Sequence, residues 1–165
     1  MAKRNKHHPH GATPATTALI DAGITFTLYP YEHDDDNTDF GEEAVAAIGA
    51  DPNQVFKTLI ADIGGKLVVA VIPVARKLDL KALATAFGAK KASMADPQAA
   101  ARSSGYVVGG ISPIGQRHPL PTVVDATAGD FETILVSAGR RGLQVAVAPG
   151  DLLAITDARS APIAH

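Results

Sequence analysis

The spacing of apolar and polar residues changes from helical to strand-like several times along this chain. The run TPATTALIDAG has a threonine cap, a proline in the first turn and a glycine stop, which predicts a helix over residues 13–23. ITFTLYPY, residues 24–31, alternates as a strand does. An acidic loop, EHDDDNTD, follows, and DFGEEAVAAIG predicts a helix closing at Gly49. QVFKTLIADIGGKLVVAVIPV, residues 54–74, predicts two strands around a Gly64-Gly65 turn. LDLKALATAFG, with Asp79 as cap and Gly88 as stop, predicts an amphipathic helix. ADPQAAARSSG repeats the signal, with Asp96 capping and Pro97 in the first turn. Four short strands are then predicted in YVVGG, TVVDA, ETILVSA and LQVAVAP, and a short helix in GDLLAIT.

Helices at uneven intervals between strands, with one clear hairpin, predict an α+β fold: a single domain with a mixed sheet and helices packed outside it. Residues 1–12 read as a flexible, solvated tail and residues 13–165 as the folded domain, with no repeat or linker. A chain of 165 residues suffices for one such domain, burying about two-thirds of the surface its unfolded form exposes. The 46% hydrophobic content comes from small branched residues rather than aromatics, and the 19% charged content is not that of a disordered chain.

Composition also removes several chemistries. With no cysteine there is no disulfide, thiolate metal site or cysteine nucleophile. No apolar run is long enough to span a membrane, and the basic start MAKRNKHHPHG leads into no signal-peptide core, so a soluble cytoplasmic protein is expected. His7, His8 and His10 have no downstream partner that would make them a metal site. A net charge of −2 argues against a protein that coats nucleic acid, although Arg76, Lys77 and Lys81, Lys90 and Lys91, Arg102, Arg117, and Arg140 and Arg141 leave room for a local basic face.

Two stretches carry candidate chemistry. Lys57 stands in the apolar strand VFKTLI, where alternation puts it on one face with Val55 and Leu59, and Phe56 with Thr58 on the other. An ammonium there either reaches past its neighbours to water or is kept for an anionic ligand, since unpaired burial is costly. GYVVGGISPIG places four glycines and Pro113 in eleven residues. Gly109 and Gly110 allow close approach of the main chain to a ligand, and exposed N–H groups there form a cradle for an oxyanion or phosphate; a tight bend in the sheet is the other use of such glycines. His33 and His118 lie in loop-like stretches and read as surface residues. Ser112 has no evident base beside it.

Together VFKTLI, KKASMADPQAAARSSGYVVGGISPIGQ and ILVSAGRRGL resemble the YbaK-type aminoacyl-tRNA deacylases, free-standing relatives of the editing domain of bacterial prolyl-tRNA synthetases. The resemblance runs from about Thr13 to Ala164 and rests on the lysine-threonine pair and on the glycine-proline loop from Gly109 to Pro113. It implies a mixed, β-barrel-like sheet surrounded by helices and, as activity, trans-editing hydrolysis of mischarged Cys-tRNA(Pro). It implies no cofactor and no metal. The partners implied are the acceptor end of tRNA(Pro) and prolyl-tRNA synthetase, with neither membrane nor DNA involved.

On that resemblance, backbone N–H groups of Gly109, Gly110, Ile111 and Ser112 stabilise the tetrahedral oxyanion. Lys57 clamps the terminal adenosine through phosphate or ribose oxygen. Tyr31, Phe40, Thr58, Pro113 and Ser137 bind substrate; Thr58, on the far face of a regular strand, needs its backbone or a bulge to do so. Gln144 stands where some relatives have an acidic residue, and no role is assigned to it. The acidic loop beside Tyr31 is expected to point away from RNA or to cap the pocket. Two alternatives remain: a deacylase for another mischarged small amino acid, such as alanine on tRNA(Pro), and a non-catalytic module holding a nucleotide or tRNA end.

Overall fold

A computed structural model describes residues 12–165. The residues of the expected tail before Ala12, with His7, His8 and His10, lie outside the described residues. The helices form where caps and stops predicted them. Helix α1, Pro14–Asp21, starts in a capping box in which Thr13 and Thr16 satisfy each other's backbone N–H. Helix α2, Phe40–Ile48, ends at Gly49 in the left-handed conformation. Helices α3, Leu80–Ala86, and α4, Pro97–Ser104, are capped by the carboxylates of Asp79 and Asp96. Helix α5, Pro149–Thr156, closes the set.

The strands make two sheets. Strands β1, Thr27–Pro30, β7, Leu143–Val147, and β6, Ile134–Arg140, form an antiparallel sheet in the order β1-β7-β6. The second sheet has five strands in the order β4-β2-β3-β5-β8. It contains the predicted hairpin β2, Phe56–Asp62, and β3, Leu67–Pro73. The remaining members are β4, Ser93–Met94, β5, Thr122–Asp125, and β8, Arg159–Ala161. Pairings β3-β5 and β5-β8 are parallel and the others antiparallel, so the sheet is mixed as expected. A parallel bridge between Val55 and Leu135 joins the two sheets, giving a barrel-like wall that does not close.

The largest buried cluster fills the space enclosed by both sheets with Phe56, Ile60, Val71, Val136, Val145 and their neighbours, and Leu19 of α1 packs into it. A second cluster, centred on Ala61, Ile72 and Leu83, lies between the five-stranded sheet and α3. Burial of these branched side chains contributes roughly 1.5–3 kcal/mol each, which is how a core short of aromatics is held together.

One predicted strand is absent. YVVGG is irregular: Tyr106 is buried in the main core, and its hydroxyl donates to the Ile114 carbonyl at 2.7 Å. Burial pushes its phenol far above the ordinary value. The apolar run was read as strand because its two valines follow a tyrosine, yet Val107 and Val108 are exposed and only the tyrosine anchors the segment. No helix among the described residues is long and apolar enough to cross a membrane.

Candidate active site

Strand β2 pairs with β3 along its whole length, but on its other edge it is paired only at its ends. Val55 bridges to Leu135 just before the strand, and Ala61 and Asp62 pair with β4 at its far end. Between them, residues 56–59 have no strand partner on that side. A cavity of about 350 Å³ occupies this gap, within the ordinary size range of small-molecule sites. Because it lies against a strand edge, residues from both faces of β2 reach it, Lys57 and Thr58 among them. Thr58 therefore needs no bulge to contribute, contrary to the sequence expectation.

Lys57 is half-buried, and no carboxylate among the described residues lies within ion-pair distance of it. Two further polar groups in the wall are unmatched. The Thr58 hydroxyl and the Gln144 Oε1 are buried in residues that line the cavity, with no hydrogen-bond partner among the described residues. Leaving such a group unpaired costs about 1–3 kcal/mol, so a ligand that satisfies both recovers that cost. Gln144, on β7, was assigned no role from the sequence; only the register that sets it opposite Ser137 on β6 brings it here. Asp39, the last residue of the acidic loop, also lines the cavity.

The glycine loop forms the opposite wall. Gly109 has φ +88°, and a Cβ there would lie 2.6 Å from the Phe40 ring. Gly110 lies against the backbone of Arg140 and Arg141, where a Cβ would approach to 2.8 Å. Both glycines are thus required by contacts with the protein itself, and they wedge the loop between α2 and the β6–β7 turn. Gly109→Ala is expected to cost about 1–2 kcal/mol in the left-handed backbone alone and to push Phe40 from the cavity. It should lower thermal stability by several degrees and abolish most catalytic or ligand-binding activity of the site. An alanine variant with wild-type activity and melting temperature would remove the loop from the mechanism.

The expected row of four amide donors narrows in the folded protein. The Gly110 N–H donates to the Val107 carbonyl at 2.9 Å and is spent in the turn. Ser112 is fully buried outside the cavity lining, where its Oγ accepts from the Ile114 N–H and its carbonyl from Gln116 Nε2. Gly109 and Ile111 line the cavity, and no hydrogen bond among the described residues engages their N–H groups. Of the other expected residues, Phe40 and Ser137 line the cavity, while Pro113 faces a separate one behind the loop. Tyr31 lies outside the lining; its N–H donates to the Gly142 carbonyl, and burial raises its phenol above the ordinary value.

His33 is not the surface residue its loop suggested. Its side chain is 11% exposed and its Nδ1–H donates to Glu43 Oε1 at 2.6 Å, while its ring lies 5.8 Å from that of Phe40. His118 is exposed as expected. The His33 hydrogen bond, with the Asp34 N–H, holds the Glu43 carboxyl below its ordinary range. A depressed folded pKa stabilises the protein above the unfolded value, and this contribution is lost as pH falls through the folded one. Urea midpoints of wild type and Glu43→Gln should therefore differ at neutral pH and converge below about pH 4. A gap that persists in acid would remove the charge from that contact.

Residues 36–155 match the aminoacyl-tRNA editing domain family. The chain belongs to that family. Over 142 residues this editing domain is 37% identical to a protein of Enterococcus faecalis named as a candidate Cys-tRNA(Pro)/Cys-tRNA(Cys) deacylase, EbsC, with 85% of each chain covered. Two solved structures share its fold. One, described as a candidate trans-editing enzyme for prolyl tRNA synthetase, is 23% identical with a TM-score of 0.82, covering 94% of this chain and 97% of that one. The other, hypothetical protein APE2540, has the same identity and TM-score, covering 93% and 100%. The β2 lysine, the glycine loop and the cavity between them fall within the matched residues of the editing domain.

Proposed function

We propose that this protein removes cysteine from mischarged Cys-tRNA(Pro) by cleaving the aminoacyl ester, as a free-standing editing enzyme. One observation carries the reading. A cavity bounded by Lys57, a cation with no ion-pair partner among the described residues, is also lined by Gly109 and Ile111, whose backbone N–H groups no hydrogen bond among the described residues engages. Ester cleavage passes through a tetrahedral oxyanion, and fixed amide donors in a partly dry site suit its charge; one such donor is worth about 3 kcal/mol. Lys57 holds the terminal nucleotide as a point charge. Gln144 Oε1 accepts from the α-ammonium of the aminoacyl group, and the Thr58 hydroxyl pairs with the ribose.

The chain has no cysteine and no histidine among the described residues lines the cavity, so this reading uses neither a protein thiol nor an imidazole-activated hydroxyl as nucleophile. The cysteinyl thiol of the substrate fills the role. The thiol gives up its proton to water, its sulfur attacks the ester carbonyl carbon, the bond to the ribose oxygen breaks, and that oxygen takes a proton from water, giving a thiolactone that water later opens. Alanine and proline have no such group, so selectivity follows from the substrate itself. A second sieve is needed because one synthetic pocket discriminates poorly between amino acids of similar size. Identity of the tRNA comes from prolyl-tRNA synthetase bound to the same tRNA, and the reaction takes place in the cytoplasm. Deacylation of Cys-tRNA(Pro) beside Pro-, Ala- and Ser-tRNA(Pro) tests the reading: cysteine is released fastest, whereas faster loss of alanine, or binding without any ester loss, overturns it.

A further inference from the structure

Arg141 lies in the turn between β6 and β7, exposed at the rim of the cavity. Its Nε–H donates to the Val108 carbonyl at 2.8 Å, and its guanidinium carbon stands 4.9 Å from the centroid of the Phe40 ring. Val108 and Phe40 both line the cavity. One hydrogen bond and one ring thus fix the guanidinium plane beside the opening. Only Nε is used in this way. Hydrogen bonds among the described residues engage neither terminal NH₂ group, and no carboxylate among them lies within ion-pair distance.

A guanidinium anchored through Nε, with both terminal NH₂ groups uncommitted among the described residues, can capture a phosphate in bidentate fashion. Resting on the proposed function, we infer that Arg141 grips the phosphodiester on the 5′ side of the terminal nucleotide. When a nucleoside ester fills the cavity, this phosphate is the first anionic group outward along the RNA. The two cations then divide the acceptor end. Lys57, inside, meets ribose and ester oxygens; Arg141, at the rim, meets the phosphate and keeps the strand from sliding.

Binding of an uncharged CCA trinucleotide and of adenosine, measured by titration calorimetry, tests this without requiring hydrolysis. Arg141→Gln should weaken trinucleotide binding about tenfold, as expected for a charged hydrogen-bonded contact, and leave adenosine binding within about twofold. The slope of log affinity against log salt for the trinucleotide should become shallower by about 0.7, one single-strand phosphate. Equal losses for both ligands would mean that Arg141 acts only by holding Val108 and Phe40, and would overturn the inference, as would no loss for either. If trinucleotide binding shows this dependence but wild type cleaves neither cysteinyl-adenosine nor Cys-tRNA(Pro), the proposed function fails and the phosphate site stands.

Discussion

Lys57→Ala should lower kcat/KM for Cys-tRNA(Pro) about 100-fold, corresponding to loss of a charged contact worth roughly 2.7 kcal/mol in the transition state. The fold should survive. Lys57 is half-buried with no ion-pair partner among the described residues, so alanine orphans no charge there and removes only the packing of its methylene stem, a change of about 1 kcal/mol or less. Lys57→Arg is expected to recover little, because the larger planar head must fit where a compact ammonium stood. The decisive comparison is single-turnover deacylation against the urea midpoint of each variant. Full activity in Lys57→Ala would show that the cation has no part in the reaction. Loss of activity with loss of the folded state would leave Lys57→Gln, of similar length, as the variant that separates the two.

Replacing cysteine by serine on the substrate gives the second large effect. Ser-tRNA(Pro) should be cleaved at least about 100-fold more slowly than Cys-tRNA(Pro), although the two aminoacyl groups differ by one atom. At pH 7 a free thiol is a few per cent thiolate and strongly nucleophilic, whereas a hydroxyl needs an adjacent base, and no histidine or cysteine of the cavity wall supplies one. The same argument fixes the pH dependence. The rate should rise about tenfold per pH unit from pH 6 and level off near the ordinary thiol value of about 8.5. Equal rates on the two esters, with a flat pH profile, would assign the attack to water.

Local chemistry accounts for what was legible in advance. Thr13, Asp79 and Asp96 cap their helices because a short polar side chain reaches the free N–H groups of the first turn wherever the rest of the fold lies. The β2–β3 hairpin follows in the same way from its glycine turn. Lys57, the Gly109-Gly110 pair and Phe40 were visible as candidates, and the fold sets all but Gly110 around one cavity. The misses depend on contacts far apart in sequence. Gln144 enters the site through pairing with β6, and Arg141 through a bond to a residue 33 positions away. Thr58 was expected to need its backbone or a bulge because alternation describes the two faces of a strand, while here the cavity lies along its edge and takes residues from both. Tyr106 leads an apolar run that strand spacing fits, yet one buried phenol decides its path.

That unpaired margin of β2 has a further consequence. Bare strand margins invite foreign strands, and soluble proteins guard them against aggregation. Here the Val55 bridge seals one end and the two-residue strand β4 the other, leaving only residues 56–59 open. So short an opening offers an intruding strand few hydrogen bonds. The compact, flat nucleoside of the proposed substrate needs no such ladder, so the same short opening disfavours polypeptide without obstructing that ligand.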